Sequence, residues 1–328
     1  MKIKFIKCHG AENDFVLIDA ITNKYSFKEN KIFELVQKFC DRKGIIGANG
    51  VLLLLNSYKA DAKMRIFNAD GSEAEMCGNG IRCIGRRTCE IFNKDSVSIE
   101  TMKGTFEVKN KKDIFKNVKS FSVNITNVSF ELKDLPLLLY ERKNLINYQI
   151  RELLNNLKFT AISIGNPHII ANVDLINSEL LKNIGRKANK IRNIFPNGIN
   201  VSFYKILDNQ TIFVETYERG VGLTYSCGTA MAASSIVSCI LGDNILNRWI
   251  NVYNKGGIVK CKPNYKEKKY SVQLLGNASF IYKSSVEINL NNINNNQIHK
   301  VDYNDEIKAY SKLKCNCKKF VNKYNPQL

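Results

Sequence analysis

Two cysteine segments that resemble each other, 150 residues apart, constrain this chain more than any other feature of its sequence. The first contains Cys77-Gly-Asn-Gly and the second contains Cys227-Gly-Thr-Ala. Each segment opens an apolar run that is long enough for a helix of about three turns. The pattern therefore predicts one thiol at the N-terminus of each of two similar helices, where the pKa of a thiol is lowered and anions are attracted.

The two halves of the chain also match in the segments that precede these cysteines. Each half opens with a strand, a glycine-containing turn that carries an asparagine, and a second strand. The asparagine is Asn13 in the first half, 64 residues before Cys77, and Asn166 in the second half, 61 residues before Cys227. Similar order and similar spacing predict two copies of one structural unit.

Hydrophobic periodicity predicts that each half is rich in strands and contains two helices. In the first half we expect helices over 30–42 and from Cys77 to about 92, and strands near 2–7, 15–19, 50–55, 62–67, 96–109 and 118–125. In the second half we expect helices over 178–191 and from Cys227 to about 241, and strands near 159–164, 168–173, 199–205, 210–217, 249–260 and 269–282. The asparagine-rich stretch 288–298 is typical of a linker, and the tail beyond it carries no chemistry that the sequence identifies.

Composition places the chain among globular proteins that act in a reducing compartment. The 328 residues, 44% hydrophobic and 24% charged, suffice for two domains with ordinary cores. No secretory signal is expected, because the first residues lack an apolar core segment. The uncharged stretch 220–242 is too polar for a membrane span and predicts a buried central helix. Ten cysteines without a signal predict free thiols and a cytoplasmic location.

The formal net charge of +19 leaves two interpretations open. A nucleic acid or another acidic partner is one, and a nucleic-acid-binding protein is therefore the distant alternative function. A solvated, lysine-rich surface is the other. We favour the second, because the lysines are scattered and no nucleic-acid-binding signature is present.

Neither a metal nor an organic cofactor is predicted. Cys315-Asn-Cys317 is a candidate for metal binding, but the chain has only three histidines and no second cysteine pair at zinc spacing. A pyridoxal lysine signature and a dinucleotide fingerprint are both absent from the sequence.

The paired cysteines predict proton transfer at a carbon next to a carboxylate. Two amide-rich helix starts could hold one carboxylate and put a sulfur on each side of its α-carbon. One thiolate would remove the α-proton and the other thiol would return one, while both helix dipoles stabilise the charge that develops. The alternative is that Cys77 and Cys227 only pack. The glycines that follow them cost helix stability, which favours the catalytic interpretation.

Several polar residues near these segments are candidates for binding the substrate. Each of Asn13, Asn68, Asn166 and Asn200 is either such a residue or an ordinary turn residue. Glu218-Arg219 is either a surface ion pair or an anchor for a second, charged end of the substrate. His168 is either structural or a group that orients or deprotonates a thiol.

On these segments the chain resembles the diaminopimelate epimerase family. The resemblance covers roughly residues 1–285 and rests on His9-Gly-Ala-Glu-Asn-Asp-Phe, Phe67-Asn-Ala-Asp-Gly-Ser-Glu-Ala-Glu-Met-Cys-Gly-Asn-Gly, Gly165-Asn-Pro-His, Pro196-Asn-Gly-Ile-Asn-Val, Tyr217-Glu-Arg-Gly-Val-Gly and Cys227-Gly-Thr. It implies an α/β fold of two similar domains, each a β-barrel-like sheet around a central helix, with the active site in the interdomain cleft. The implied domains are 1–128, completed by strands near 275–288, and 129–274, with 289–328 as a linker and basic tail.

The resemblance also implies an activity and a role for each matching residue. The activity is interconversion of LL- and meso-2,6-diaminopimelate in lysine and peptidoglycan synthesis, without pyridoxal phosphate or metal. Cys77 and Cys227 match the acid/base pair. The residues that match those holding the reacting carboxylate are Gly78, Asn79, Gly228 and Thr229. Those that match further substrate contacts are Asn13, Asn68, Asn166, Asn200, Glu218 and Arg219, with His168 in a supporting position.

Four positions depart from the pattern of many family members: Gly50 replaces Gln, Leu223 replaces Glu, and Ala230 and Glu12 each replace Gly. A racemase of another amino acid on the same fold is therefore the nearest alternative function. We expect a small-molecule substrate, no nucleic acid and no membrane as partners. The oligomeric state stays open, with a homodimer among the alternatives.

Overall fold

The computed structural model describes residues 2–139, 142–153, 156–287 and 298–324, and these residues divide into two compact units. Unit 1 comprises Met1–Val123 and Gly276–Leu313, and unit 2 comprises Asn124–Leu275 and Lys314–Leu328. The elements up to residue 125 are β1 (Lys2–Gly10), β2 (Asn13–Asp19), α1 (Glu29–Cys40), β3 (Gly50–Leu55), β4 (Ala62–Asn68), β5 (Glu73–Ala74), α2 (Gly78–Phe92), β6 (Ser96–Thr101), β7 (Gly104–Lys111) and β8 (Ser120–Ile125).

The remaining elements follow in the second half of the chain and in the C-terminal segment. They are β9 (Tyr148–Gln149), β10 (Lys158–Ser163), β11 (Pro167–Asn172), α3 (Ser178–Ala188), β12 (Asn200–Asp208), β13 (Thr211–Glu218), β14 (Gly222–Thr224), α4 (Gly228–Ile240), β15 (Ile250–Asn254), β16 (Gly257–Lys266), β17 (Lys269–Asn277), β18 (Ser279–Glu287), β19 (Val301–Asp302) and α5 (Asn304–Asn322). Among the helices described, none is long and apolar enough to cross a membrane.

The strand pairing of unit 1 is repeated strand for strand in unit 2. In unit 1, β1 pairs antiparallel with β2, β2 pairs parallel with β3, β3 antiparallel with β4, β4 parallel with β6, and β6 antiparallel with β7. In unit 2, the same sequence of antiparallel and parallel pairings joins β10, β11, β12, β13, β15 and β16. The predicted duplication is therefore confirmed at the level of topology.

One helix of each unit is central to its sheet. Helix α2 contacts β1, β2, β3, β4, β6 and β7, and α4 contacts the six equivalent strands of unit 2. Both helices are buried over most of their length. Helix α4 accordingly carries no charged residue, whereas α2 includes two buried arginines, Arg82 and Arg86. A Cβ on Gly85 would overlap the Val108 side chain, so a glycine inside α2 lets the helix approach β7 closely. The predicted sheet around a central helix is confirmed in both units.

The chain beyond residue 298 is more structured than the sequence predicts. The predicted linker at 288–298 lies, except for its last residue, outside the described residues. Beyond it, β19 pairs with β18, and α5 runs for 19 residues. The buried residues of α5 include Tyr310, Leu313, Cys317 and Val321, which recur at helical spacing. Lysines on its exposed face hide this period when composition alone is considered.

Candidate functional site

Helix α2 begins directly after Cys77, which is its N-cap residue. Cys77 has an extended backbone, with φ −142° and ψ 119°, and its Sγ accepts a hydrogen bond from the Gly80 amide at 3.4 Å. The first backbone bond of the helix runs from the Ile81 amide to the Cys77 carbonyl at 2.9 Å. The amides of Gly78 and Asn79 therefore lie at the start of the helix, ahead of its own acceptors, which is the position that binds anions.

Helix α4 begins in the same way after Cys227. Its N-cap also has an extended backbone, with φ −113° and ψ 108°, and the Met231 amide donates to the Cys227 carbonyl at 3.0 Å. The amides of Gly228 and Thr229 thus hold the positions that Gly78 and Asn79 hold in α2. Cys227 is buried, whereas Cys77 is half-buried.

Sheet register brings the other predicted site residues to equivalent strand ends in each unit. Asn13 begins β2, Gly50 begins β3 and pairs with Asn68 at the end of β4. In unit 2, Asn200 begins β12 opposite His168, and the pairing of β12 with β13 leads to Glu218 at the end of β13. In each unit, the predicted substrate contacts therefore lie at the same end of adjacent strands.

A chain of side-chain contacts in unit 2 ends at the Cys227 thiol. Thr229 Oγ1 lies 3.4 Å from Cys227 Sγ and accepts from Asn166 Nδ2 at 3.2 Å. Asn166 Oδ1 in turn lies 3.0 Å from His168 Nε2. The imidazole therefore orients the Asn166 amide, which orients the Thr229 hydroxyl beside the sulfur.

The His168 ring is fully buried, and burial lowers its pKa to about 3, with the nearby positive charge of Arg219 adding to the effect. The ring is consequently neutral near pH 7. In that state Nε2 carries the proton and donates to Asn166, while Nδ1 has no partner among the described residues. This geometry supports an orienting role for His168 in preference to a role as a base.

The buried imidazole makes folding stability depend on pH. Because its folded pKa is about 3 and the unfolded value is about 6.5, only the unfolded chain takes up this proton as the pH falls below 6.5. We expect the wild type to lose about 2 kcal/mol more unfolding free energy than His168→Gln between pH 7.5 and pH 5. Urea titrations of both proteins at the two pH values measure this difference, and equal losses contradict a neutral buried ring.

Glu218 is a second neighbour of the Cys227 thiol. Its carboxylate accepts from the Thr224 hydroxyl at 2.6 Å and from the thiol itself. Burial raises the pKa of the Glu218 carboxyl above its usual range, and these two hydrogen bonds oppose the rise. A carboxylate with a raised pKa beside a thiol is a group that can take the thiol proton.

Arg219 and Asn200 form a second polar group at the same strand ends of unit 2. The Arg219 amide donates to Asn200 Oδ1 at 2.9 Å, and one guanidinium nitrogen donates to the Asn197 carbonyl at 2.9 Å. The Arg219 side chain is exposed, while Asn200 is buried. The loop therefore fixes the base of the arginine and leaves its charge at the surface.

In unit 1, the predicted asparagines are each held by a polar side chain, from the segment before β3 for Asn13 and from the following turn for Asn68. Asn13 Oδ1 accepts from Asn49 Nδ2 at 3.0 Å, and Asn68 Nδ2 donates to Ser72 Oγ at 3.0 Å. Asn68 holds the register position in unit 1 that Glu218 holds in unit 2. The structure thus orients both asparagine side chains at these strand ends of unit 1.

Two residues that support this half-site were not among the predicted ones, Arg82 and Asn277. The guanidinium of Arg82 is fully buried and donates to the Gly78 carbonyl at 2.7 Å, to Asn79 Oδ1 at 2.9 Å and to the Asn277 carbonyl at 3.1 Å. It therefore fixes the first turn of α2. A cation inside an apolar helical run was the available signal for Arg82, whereas nothing in the sequence near residue 277 indicated its partner.

The departure at Gly50 has a structural counterpart. A Cβ at this position would lie 2.5 Å from the Phe67 carbonyl oxygen, inside van der Waals contact. The backbone of β3 here has no room for a side chain unless it shifts. Gly50 also occupies the register position equivalent to Asn200, so unit 1 lacks a side chain where unit 2 has an amide.

Solved structures share this fold at low sequence identity. A phenazine biosynthesis protein of the PhzF family from Bacillus anthracis matches with a TM-score of 0.63 and 17% identity, over 88% of this chain and 100% of that one. A hydroxyproline epimerase from Agrobacterium vitis matches with a TM-score of 0.58 and 14% identity, over 94% of each chain. The fold is therefore that of a class which includes amino acid epimerases.

Sequence comparison identifies the family within this class. The family model for diaminopimelate epimerase matches residues 5–129 and 160–281. A diaminopimelate epimerase from Clostridium acetobutylicum is 46% identical over 324 residues, 97% of each chain, and one from Ligilactobacillus salivarius is 40% identical over 87% of this chain and 90% of its own. The chain belongs to the diaminopimelate epimerase family and is an isomerase.

Proposed function

We propose that this protein interconverts LL- and meso-2,6-diaminopimelate, with Cys77 and Cys227 as the two acid/base groups. The observation that supports these roles most strongly is the equivalence of the two cysteines. Each is the N-cap of the central helix in one copy of a duplicated unit. A duplicated thiol suits a reaction that needs one base and one acid at the same carbon and that runs in both directions.

Both helix starts would bind the carboxylate next to the reacting carbon. Charge builds on the carboxylate oxygens as the α-proton leaves, and the amides of Gly78, Asn79, Gly228 and Thr229 are the donors proposed to meet it. Donors fixed by a helix terminus need no reorganisation during the reaction, which makes their stabilisation of the developing charge effective. Arg82 supports this role by holding the turn that carries Gly78 and Asn79.

Glu218 would help Cys227 to form its thiolate, and the Asn166–Thr229 pair would orient the sulfur. A thiol that donates to a carboxylate loses its proton more readily to that partner, leaving the thiolate that acts as base. In the reverse direction the same thiol, again protonated, would return the proton to carbon. The neutral His168 would keep Asn166 in place without exchanging protons near pH 7.

The distal end of the substrate would be bound at Arg219 and Asn200. Diaminopimelate carries a second carboxylate, and a planar guanidinium binds a carboxylate through two parallel hydrogen bonds. Asn13, Asn68 and Glu218 would add polar contacts along the substrate. This set suits an amino acid with a charged far end better than it suits a small apolar one.

The proposed reaction belongs to lysine and peptidoglycan synthesis and needs no cofactor in this scheme. All ten cysteines are free in the structure. Thiols that must stay reduced to act as acid and base suit a reducing compartment, and we propose a cytoplasmic location.

The function is tested by proton NMR of α-hydrogen exchange in D₂O with a panel of amino acids. We expect exchange and inversion with LL- and meso-diaminopimelate, and far slower exchange with proline, glutamate and lysine. Preference for another member of the panel would instead support a racemase of that amino acid. No exchange with any of them would contradict the proposal.

A further inference from the structure

Two residues in the turn that leads to Asn13 adopt a backbone conformation that their side chains disfavour. Gly10 pairs with Asn13 across the β1–β2 hairpin, and the two residues between them, Ala11 and Glu12, have φ of +49° and +64°. Such turns favour glycine or asparagine, and neither is present here. The local sequence therefore does not explain why the turn is stable, and contacts from elsewhere must hold it.

Both amides of the turn are bound by side chains. The Ala11 amide donates to Asn277 Oδ1 at 2.7 Å, and the Glu12 amide donates to His9 Nδ1 at 3.2 Å. Asn277 Nδ2 also donates to the His9 carbonyl at 3.2 Å, so His9 and Asn277 hold the turn together. The hydrogen bond to Glu12 requires that the His9 ring keep its Nδ1 unprotonated and facing the turn.

Helix α5 supplies an aromatic contact to the His9 ring. The Tyr310 ring packs edge-on against it, with the ring centroids 4.4 Å apart and an interplanar angle of 77°. Tyr310 and His9 are both buried. This contact comes from the C-terminal segment, beyond the residues 5–129 and 160–281 that the family model matches.

The same part of α5 is anchored to the helix that begins at Cys77. Glu306 lies one helical turn before Tyr310, on the same face of α5. Its carboxylate receives two hydrogen bonds from the buried Arg86 of α2, at 2.6 and 2.7 Å, and one from the Phe280 amide at 3.0 Å. A bidentate pair of this kind fixes orientation as well as distance. It sets the position from which Tyr310 reaches His9.

We propose that Tyr310 is a positioning residue for epimerisation, which acts through His9 to hold the Ala11–Glu12 turn and thereby Asn13. The C-terminal helix is then part of the machinery of unit 1. This inference rests on the proposed function for the role of Asn13. Its structural half, the support of the turn, stands independently of the substrate.

The test compares Tyr310→Ala with Phe320→Ala, a matched control. Phe320 lies later on α5, in the part of the helix that belongs to unit 2, and its ring stacks on that of Tyr253 in the same unit, with the ring centroids 4.8 Å apart. We expect hydrogen–deuterium exchange of the Ala11 and Glu12 amides to become at least about tenfold faster in Tyr310→Ala and to stay unchanged in Phe320→Ala. Unchanged exchange in Tyr310→Ala, or equal acceleration in both variants, overturns the proposal whatever the substrate is.

Kinetics with diaminopimelate test the second half of the inference. We expect Tyr310→Ala to lower kcat/KM about tenfold, because a small misplacement of a binding group is costly. Glu12→Gly removes the backbone strain at φ +64°, so adding it to Tyr310→Ala should recover most of the loss, which a purely structural role for Tyr310 would not allow. Absence of this recovery, or an equal loss in Phe320→Ala, contradicts the proposal.

If Tyr310→Ala does not fold, Tyr310→Leu takes its place with the same expected outcomes. A wild type without activity would contradict the proposed function and leave the exchange result to decide on the turn.

Discussion

Cys77→Ala and Cys227→Ala are each expected to lower kcat/KM for epimerisation by roughly 10³-fold or more, about 4 kcal/mol in transition-state free energy. Each thiol acts as base in one direction and as acid in the other, so neither direction can proceed without both. The losses should not add in the double variant, because the two groups act as one unit. Initial rates from the LL and the meso isomer are measured for the wild type, both single variants and the double variant.

The chain offers matched controls for both substitutions. Cys89 lies on α2 and Cys239 on α4, each 12 residues after the N-cap cysteine of its helix. Burial raises the pKa of Cys89 to about 11 and that of Cys239 to about 12, so both stay protonated and unreactive near neutral pH. We expect Cys89→Ala and Cys239→Ala to keep kcat/KM within about threefold of wild type. Any effect of these substitutions should be a lower free energy of unfolding. If either N-cap variant keeps a tenth of wild-type kcat/KM, the two-thiol scheme is wrong.

Arg219→Lys is expected to lower kcat/KM for diaminopimelate by about 10- to 100-fold, which is about 1.4–2.7 kcal/mol. The variant keeps the charge but loses the planar pair of donors that can bind the distal carboxylate. It also loses the hydrogen bond from the guanidinium to the Asn197 carbonyl, which fixes the direction of the side chain. We expect most of the effect in KM, because the distal carboxylate is unchanged during the reaction.

A neighbouring arginine provides the control for this substitution. Arg192 is also exposed, and one of its guanidinium nitrogens donates to the Pro196 carbonyl at 2.9 Å. Arg192→Lys removes a similar hydrogen bond and should leave the kinetics within about twofold of wild type. Equal kinetics for wild type and Arg219→Lys would make Arg219 a surface charge only, and would remove the main support for diaminopimelate as the substrate.

The sequence was sufficient to predict the duplicated fold because its signals are local. The paired Cys-Gly segments predicted where α2 and α4 begin, and both helices start at the following glycine. Alternating apolar residues predicted the strands that are buried on one face, and short continuous apolar runs predicted those that are buried on both faces. Helix α5 was missed because its buried residues are separated by lysines that dominate the composition of the tail.

The contacts that shape the candidate site were harder to predict because they join residues far apart in the chain. Asn277 binds the Ala11 amide across 266 positions, and neither residue carries a signal for the other. The Ala11–Glu12 turn contradicts its own sequence preferences and depends on such contacts. His168 could be read as a base or as an orienting group from its sequence, and only its complete burial favours the second. Tertiary environment, and not residue type, decides these cases.

The isotope content of product and remaining substrate, measured early in the reaction in D₂O, tests the central claim most directly. In the two-thiol scheme, the thiol that delivers the new proton differs from the one that removes the old proton, and it carries deuterium from the solvent. The account predicts that meso product formed from LL-diaminopimelate at low conversion carries deuterium at the inverted carbon, while the remaining LL isomer stays unlabelled. Product that retains the original proton, with deuterium appearing in the LL isomer, would mean that one group serves both faces and would contradict the account.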